Sequence, residues 1–352
     1  MDKVRYAVVG LVHGMEHVRI AVNHNRVDVV AVCDRDTARV DKAMACVREH
    51  KAAEVAAAIR PFDDYQRMLD WGEFDAVIIA TPVMIHKDMA IQAIQAGKHV
   101  LLEKPMTVTL DEARELRVAS QRSKAVVQVG HEVRSSQLVR KVLELIRSGK
   151  IGDVVFVWWH MFLQTESHGW RCERANMGGK LFDCCCHWWD ILQLFAGARF
   201  YRLSAFGNTQ GAVGPNPDAM PSVATVNFEY QNGVRGNLSM SEISPTPEAS
   251  LFGVVGTRGI IYGNPWRPEG AGSLDCHTEN GLYREQITIS GAMASRGHLG
   301  FREQHDAFLD SILQGAPVVC TVEDGYEVVV LNTAVDRSIA TGEVVLREDL
   351  VH

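Results

Sequence analysis

The chain has 352 residues, of which 47% are hydrophobic and 22% charged, and its formal net charge is −7. Such a length accommodates two domains with a core each, and the acidic balance leaves no basic footprint for nucleic acid. No apolar run approaches the ~18 residues of a membrane span, and the opening MDKVRYAVVG enters a strand directly, which predicts no secretory or transit segment.

Val4 to Gly10 reads as a buried strand, Met15 to Asn23 as a helix and Val27 to Asp34 as a second strand. Further units are expected around 37–50 and 53–72. Phe74 to Ala80 is a short apolar run with two consecutive isoleucines, the pattern of a strand buried on both faces. Met89 to Ala96 has apolar residues at helical spacing and stops at Gly97, and His99 to Leu102 returns as a buried strand. A helix over Leu110–Ser123 and a short strand over Ala125–Val129 complete the series. This alternation predicts an α/β domain over residues 1–130, built on a doubly wound parallel sheet with right-handed crossovers.

A tight crossover near 125–135 separates it from a different pattern. Helix Gln137–Ser148, strand Val154–Phe162 and helix Met177–Ala196 precede strand-like runs at 201–206, 223–230, 234–242, 250–255, 259–263 and 284–289. Helices at 301–314 and 323–341 and a strand at Val344–Leu346 close the chain. The order predicts an α+β domain over 131–352, a large open and mostly antiparallel sheet with helices on one face. The bare face of such a sheet needs cover, and a second subunit is the expected source.

Ligands of open parallel sheets bind outside the carboxyl ends of the strands. One segment there, Gly10-Leu11-Val12-His13-Gly14-Met15-Glu16-His17, is an incomplete dinucleotide fingerprint. Gly10 supplies the tight turn and Gly14 permits close helix–strand approach. The middle glycine is replaced by Val12 or lost by a one-residue shortening. Asp34 ends the second strand 24 residues after Gly10, where an acid binds the adenosine ribose hydroxyls. It favours NAD, while the adjacent Arg35 is the competing signal for the 2′-phosphate of NADP. A second segment, Glu103-Lys104-Pro105, leaves another strand end, and Pro105 biases Lys104 toward an extended backbone.

Further along, GGKLFDCCCHWWDILQLFAG (178–197) places Asp183 and His187 four apart, on one face of a helix, and Asp190 joins them. Polar groups on an otherwise apolar helix need a reason to be there. Histidine suits a general base near neutral pH. Asp183 would orient its ring, and Lys104 would hydrogen-bond a reacting hydroxyl and favour its alkoxide character. Five of the seven tryptophans fall between Trp158 and Trp189, but neighbours on a strand or helix cannot share one pocket. Trp170, beside Arg171, is therefore the best platform for a ring. Arg134, His160 and Asp190 are further candidate substrate contacts, with Glu166, His168 and His298 as additional polar groups. The eight cysteines form no disulfide framework, which suits a reducing cytoplasm. Cys184, Cys185 and Cys186 project about 100° apart on a helix and cannot share one ion, so no metal is expected.

Taken together, Gly10, Asp34, Thr81-Pro82 with His86, and Gly97-Lys98-His99-Val100 leading to Glu103-Lys104-Pro105 resemble the Gfo/Idh/MocA family. The likeness continues through Trp170-Arg171, Gly178-Gly179, Asp183, His187-Trp188-Trp189-Asp190 and Thr341-Gly342, and the glycine loop is its clear departure. The resemblance implies a Rossmann domain and an NAD(P)-dependent enzyme acting on a sugar, cyclitol or related polyol, often as a dimer or tetramer. It assigns the cofactor to Gly10, His13, Gly14, Asp34, Arg35, Thr81, Pro82, His86, Glu103 and Lys104, and the chemistry to Lys104, Asp183 and His187. One alternative is a redox-neutral, sugar-cleaving enzyme that retains NAD, for which His13 and His17 would supply contacts that glycine loops lack. A binding module that senses nucleotide or sugar without chemistry is the other.

Overall fold

The computed structural model describes residues 3–51, 53–164, 168–212, 214–244, 249–265, 271–288 and 300–351. The chain divides into two compact units: Met1–His131 with Phe301–Tyr326, and Glu132–Gly300 with Glu327–His352. In the first lie β1 (Val4–Val9), α1 (Gly14–Val22), β2 (Val27–Cys33), α2 (Thr37–His50), α3 (Ala53–Ala58) and β3 (Arg60–Phe62). They are followed by α4 (Tyr65–Trp71), β4 (Ala76–Ile79), α5 (His86–Gln95), β5 (His99–Glu103), α6 (Leu110–Gln121) and β6 (Val127–Gly130). All six strands are parallel, in the order β3-β2-β1-β4-β5-β6. The order reverses between β1 and β4, which opens the ligand crevice at their carboxyl ends. There Gly10 adopts φ +83°, and a Cβ on it would lie 2.5 Å from the carbonyl oxygen of Ala80. Only glycine fits that crossing.

The second unit begins with a single 3-10 turn at Glu132–Ser135, then α7 (Gln137–Arg147), β7 (Val154–Phe162), α8 (Arg174–Met177) and α9 (Lys180–Ala196). Seven strands follow: β8 (Phe200–Asn208), β9 (Val223–Tyr230), β10 (Arg235–Ser241), β11 (Ala249–Gly256), β12 (Gly259–Asn264), β13 (Ala271–Thr278) and β14 (Gly281–Thr288). After them come α10 (Phe301–Gln314), α11 (Val322–Thr341), β15 (Val345–Leu346) and α12 (Glu348–Val351). The sheet has nine strands in the order β14-β13-β12-β11-β7-β10-β9-β8-β15, antiparallel except for the β7–β10 pair. The α/β fold with a second, mostly antiparallel sheet is therefore as expected. Not anticipated was β13, where the buried apolar side chains Leu274 and Cys276 stand among polar residues and glycine. Helix α9 starts at Lys180 rather than Met177, because Gly178 (φ +83°) and Gly179 (φ +120°) break it from α8.

Residues 131–352 are not one uninterrupted domain. The stretch Phe301–Tyr326, which includes all of α10, belongs to the first unit. Helix α10 buries Phe308 and Leu309 in the core of that unit, with the Phe308 ring 6.2 Å from that of Tyr6. Its amphipathic pattern announces a buried face without saying which core receives it.

Helix α9 covers one face of the large sheet. Trp188 stacks on Trp159 of β7 with ring centroids 4.1 Å apart, and its Nε1 donates to Met161 Sδ at 2.8 Å. Since successive strand residues alternate, Phe156, Trp158, His160 and Phe162 point to the opposite face. Leu251, opposite His160 in the register, and Phe206, opposite Thr225, join them there and are 44% and 66% exposed. Among the described residues no helix is long and apolar enough to cross a membrane.

Candidate functional site

In the first unit the expected cofactor residues gather at the carboxyl ends of β1, β2, β4 and β5. Helix α1 starts without a side-chain cap, and Val12 just before it is 67% exposed. A helix start without a side-chain cap is a natural place for a pyrophosphate. Gly14 packs tightly, a Cβ there meeting Val8 at 3.3 Å. Asp34 fastens the turn to β2, its carboxylate accepting from the backbone N–H of Leu11 at 2.7 Å and of Asp36 at 2.9 Å. Arg35 is exposed. Arg39, absent from the expected set, approaches Asp34 at 3.7 Å, and only its place in the first turn of α2 could have signalled it. Thr81 and Pro82 follow β4 half-buried. A glycine crossing, an open helix start and an acid at the end of β2 together suit a dinucleotide.

Two histidines depart from expectation. His86 is buried, with Nδ1 2.9 Å from the carbonyl oxygen of Pro105 and Nε2 2.8 Å from that of Thr81. It clips the loops after β4 and β5 together and presents no ring nitrogen to a cofactor. Burial, opposed by those carbonyls, holds its pKa below the ordinary value. His17, expected to help retain the cofactor, has no exposed surface and packs inward. Its Nε2 lies 2.9 Å from Glu103 Oε1 and its Nδ1 2.9 Å from His305 Nε2. His13, the N-cap residue just before α1, has Nε2 3.8 Å from Glu103 Oε2 and remains partly exposed. Burial alone would raise the Glu103 pKa, but His13, His17 and Lys104 bring it down to about 2. Lys104 follows Glu103 directly, half-buried, and donates its backbone N–H to Glu103 Oε2 at 3.1 Å.

In the second unit α9 carries Asp183, His187 and Asp190 as predicted. Asp183 lies 3.7 Å from the Arg171 guanidinium, which in turn sits 5.3 Å over the Trp170 ring. These three side chains cluster. His187 is buried, and an unanticipated acid, Glu132, brings Oε1 to 3.7 Å from its Nε2. Only the position of Glu132 just after β6 could have pointed to it.

Arg134 and Asp190, expected to bind substrate, hold each other. Arg134 Nε and Nη2 donate to Asp190 Oδ2 and Oδ1, each at 2.5 Å, with both side chains buried. A desolvated cation and anion must be paired, so this bidentate bridge fixes α9 against the 3-10 turn. His160 is also displaced from the expected set. It lies on the face of β7 away from α9, Nε2 3.2 Å from Asn237 Oδ1, because Trp159 and Met161 take the inward positions. His168 is exposed, whereas Glu166 and His298 lie outside the described residues. Cys184 donates to Glu242 at 2.8 Å and Cys186 to the Asp183 carbonyl at 3.5 Å, so these two thiols point apart. Burial pushes the Cys184 and Cys185 thiols well above their ordinary pKa. Among the described residues no group of three or more His, Cys, Asp or Glu is arranged for a metal ion.

Residues 4–131 match the family model of oxidoreductases with an NAD-binding Rossmann fold, and residues 139–262 match the GFO/IDH/MocA C-terminal domain. The chain belongs to the Gfo/Idh/MocA family. It is an oxidoreductase whose first unit is an NAD-binding Rossmann fold. The 1,5-anhydro-D-fructose reductase of Ensifer adhaerens is 28% identical over 275 residues, covering 77% of this chain and 79% of that protein. The scyllo-inositol 2-dehydrogenase (NAD(+)) of Bacillus subtilis is 28% identical over 200 residues, 57% of this chain and 58% of that one. Levoglucosan dehydrogenase, solved with NADH and L-sorbose, has the same fold, with a TM-score of 0.84 at 20% identity over 98% of this chain and 99% of that one.

The proximity of Glu132 to His187 generates a direct expectation. Replacing Glu132 by Gln removes the charge that would stabilise an imidazolium, and kcat should fall about tenfold or more, ~1.4 kcal/mol in the transition state. Steady-state kinetics on any turned-over substrate reads this, and an unchanged kcat would leave Glu132 a packing residue.

Proposed function

We propose that this protein oxidises a secondary hydroxyl of a sugar, cyclitol or glycoside, with NAD as hydride acceptor. The observation that carries the reading is the α9 cluster: a buried histidine facing a carboxylate, with Asp183, Arg171 and Trp170 beside it. Alcohol oxidation needs a proton to leave oxygen as hydride leaves carbon. His187 takes that proton, and Glu132 offsets the charge the ring gains. Lys104, at the carboxyl end of β5, donates to the hydroxyl oxygen and stabilises its developing negative charge. NAD, held by the Gly10–Gly14 turn and Asp34, supplies the hydride acceptor. The Trp170 face suits the C–H face of a pyranose or cyclitol ring, while Arg171 and Asp183 read hydroxyls. The sugar and inositol named for the relatives above support this substrate class.

The redox-neutral alternative drew on His13 and His17 as cofactor contacts; His17 packs inward, which leaves it the partly exposed His13 alone. Net oxidation is the reading kept. Purified protein, offered NAD and a panel of sugars, inositols and glycosides, should accumulate NADH over many turnovers. His187→Gln should slow the reaction by roughly 10²–10⁴, and full turnover by Lys104→Ala would remove the lysine from the catalytic set.

NAD is the proposed partner over NADP because Asp34, fixed by two backbone donors, would repel a 2′-phosphate. Calorimetry with each nucleotide checks this, and Asp34→Ala should weaken NAD binding by roughly 1–3 kcal/mol. Tighter binding of NADP would give Arg35 and Arg39 the decisive role.

A homo-oligomer, in a cytoplasmic setting, completes the proposal. Phe206 and Leu251, together with Phe162 and Trp158, leave an apolar stripe on the open sheet face that a second copy would cover. Sedimentation velocity should return at least twice the mass of one chain, and Leu251→Asp should lower it. A monomer at micromolar concentration would end the idea.

A further inference from the structure

Behind Lys104 stands a line of buried polar side chains that the hydride-transfer chemistry does not use. Glu103 is 3% exposed, and His17 and His305 not at all. His13, the N-cap of α1, and His17 on its first turn are four apart, so both face the same carboxylate. Glu103 is the last residue of β5 and its two oxygens have different tasks. Oε1 accepts from His17 Nε2 at 2.9 Å, and Oε2 accepts the Lys104 backbone N–H at 3.1 Å. The neighbouring strand is trimmed to make room: a Cβ on Gly130 of β6 would lie 3.0 Å from Glu103 Cα and 3.2 Å from Oε1.

We propose that His17 is a positioning residue for Lys104, acting through Glu103, and that His305 holds the His17 ring in register. The proposal rests on the reading of Lys104 as catalytic. Its physical basis is the direction of the hydrogen bonds. Glu103 is ionised, held so by His13, His17 and Lys104. His17 Nε2 therefore carries a proton and donates to it. His305 stays neutral, because burial and the nearby His17, His24 and Arg302 all oppose its charging. The His305 Nε2 and His17 Nδ1 nitrogens, 2.9 Å apart, share one proton between them, and this bond fixes the plane of the His17 ring. The far nitrogen of His305, Nδ1, is buried without a hydrogen-bond partner among the described residues. A chain that ends blind cannot deliver a proton to solvent, so it orients rather than conducts. What it orients is the carboxylate that fixes the first residue beyond β5.

Glutamine separates orientation from proton carriage. Its amide can donate to Glu103 and accept from His305, yet it does not titrate. Leucine fills the volume and does neither. In H17L, kcat should fall at least tenfold with a smaller change in substrate KM, while H17Q recovers most of the loss. H305L, which leaves the Glu103 contact in place, should lose a few-fold, and it keeps the test open if H17L does not fold. The second readout needs neither substrate nor cofactor. After reductive ¹³C-methylation of the lysines, the Lys104 signal is assigned by its absence in Lys104→Ala. Its titration should shift in H17L and return toward wild type in H17Q.

Equal losses in H17Q and H17L would overturn positioning in favour of proton transfer. Wild-type kcat in both H17L and H305L, or an unmoved Lys104 signal in H17L, would overturn it outright. Full turnover by Lys104→Ala removes the catalytic reading of the lysine and the proposal with it. Loss in Lys104→Ala without loss in H17L removes the proposal alone.

Discussion

The first unit is organised around one desolvated carboxylate. A charge as buried as that of Glu103 is tolerable only with partners at hydrogen-bond distance. Removing one member of such a pair costs about 3–5 kcal/mol. His17 of α1 and His305 of α10 are therefore tied to the end of β5 through this single acid. The same α1 begins at the Gly10–Gly14 turn, and the same β5 delivers Lys104. The turn that suits a pyrophosphate and the amine assigned to the reacting hydroxyl are thus parts of one rigid arrangement, not separate loops. His86 adds a second tie by bridging the carbonyls of Thr81 and Pro105.

The second unit solves a different problem, the rotation of a helix about its own axis. A helix lying on a sheet by apolar contact alone can turn by tens of degrees at little cost, since one leucine face resembles another. Helix α9 is denied that freedom at two levels. The flat stack of Trp188 on Trp159 sets its height on the sheet. The 3-10 turn then grips it twice, Arg134 at Asp190 and Glu132 at His187. Planar bidentate geometry makes the Arg134–Asp190 contact directional as well as strong. With 187 and 190 on one face, fixing Asp190 fixes the direction of the His187 ring.

Much of this was legible in the chain because it depends on local patterns. The buried strands announce themselves as aliphatic runs, Gly10 by the turn it must make, and the Asp183–His187 face by spacing on a helix. What stayed hidden depends on which of two sides is inward. Trp158-Trp159-His160 must alternate, but alternation alone does not say that Trp159 faces α9 and His160 the opposite side. His13 and His17 share a helix face, yet their spacing does not tell that one reaches the surface while the other closes on Glu103. The return of α10 to the first unit and the meeting of Glu132 with His187 are long-range events. They are decided by which apolar face and which charge remain unmatched after the local structure has formed.

Four buried acids, Asp190, Glu327, Glu103 and Glu132, divide by the kind of cation they meet. Asp190 is held by Arg134 and Glu327 by Arg347, and a guanidinium does not lose its proton at any working pH. Those pairs are constant in charge and join backbone segments: the 3-10 turn to α9, and α11 to the chain after β15. Glu103 and Glu132 face histidines, whose ring nitrogens can either donate or accept. Both histidine-facing acids adjoin residues assigned to the chemistry, one directly before Lys104 and one against His187. A fixed cation in place of His187 would be at odds with the base proposed there. An arginine in place of His187 could neutralise Glu132 equally well but could not accept a proton from a hydroxyl. The choice of histidine at these two points, and of arginine at the other two, separates the pairs that join backbone segments from those that adjoin the residues proposed for the chemistry.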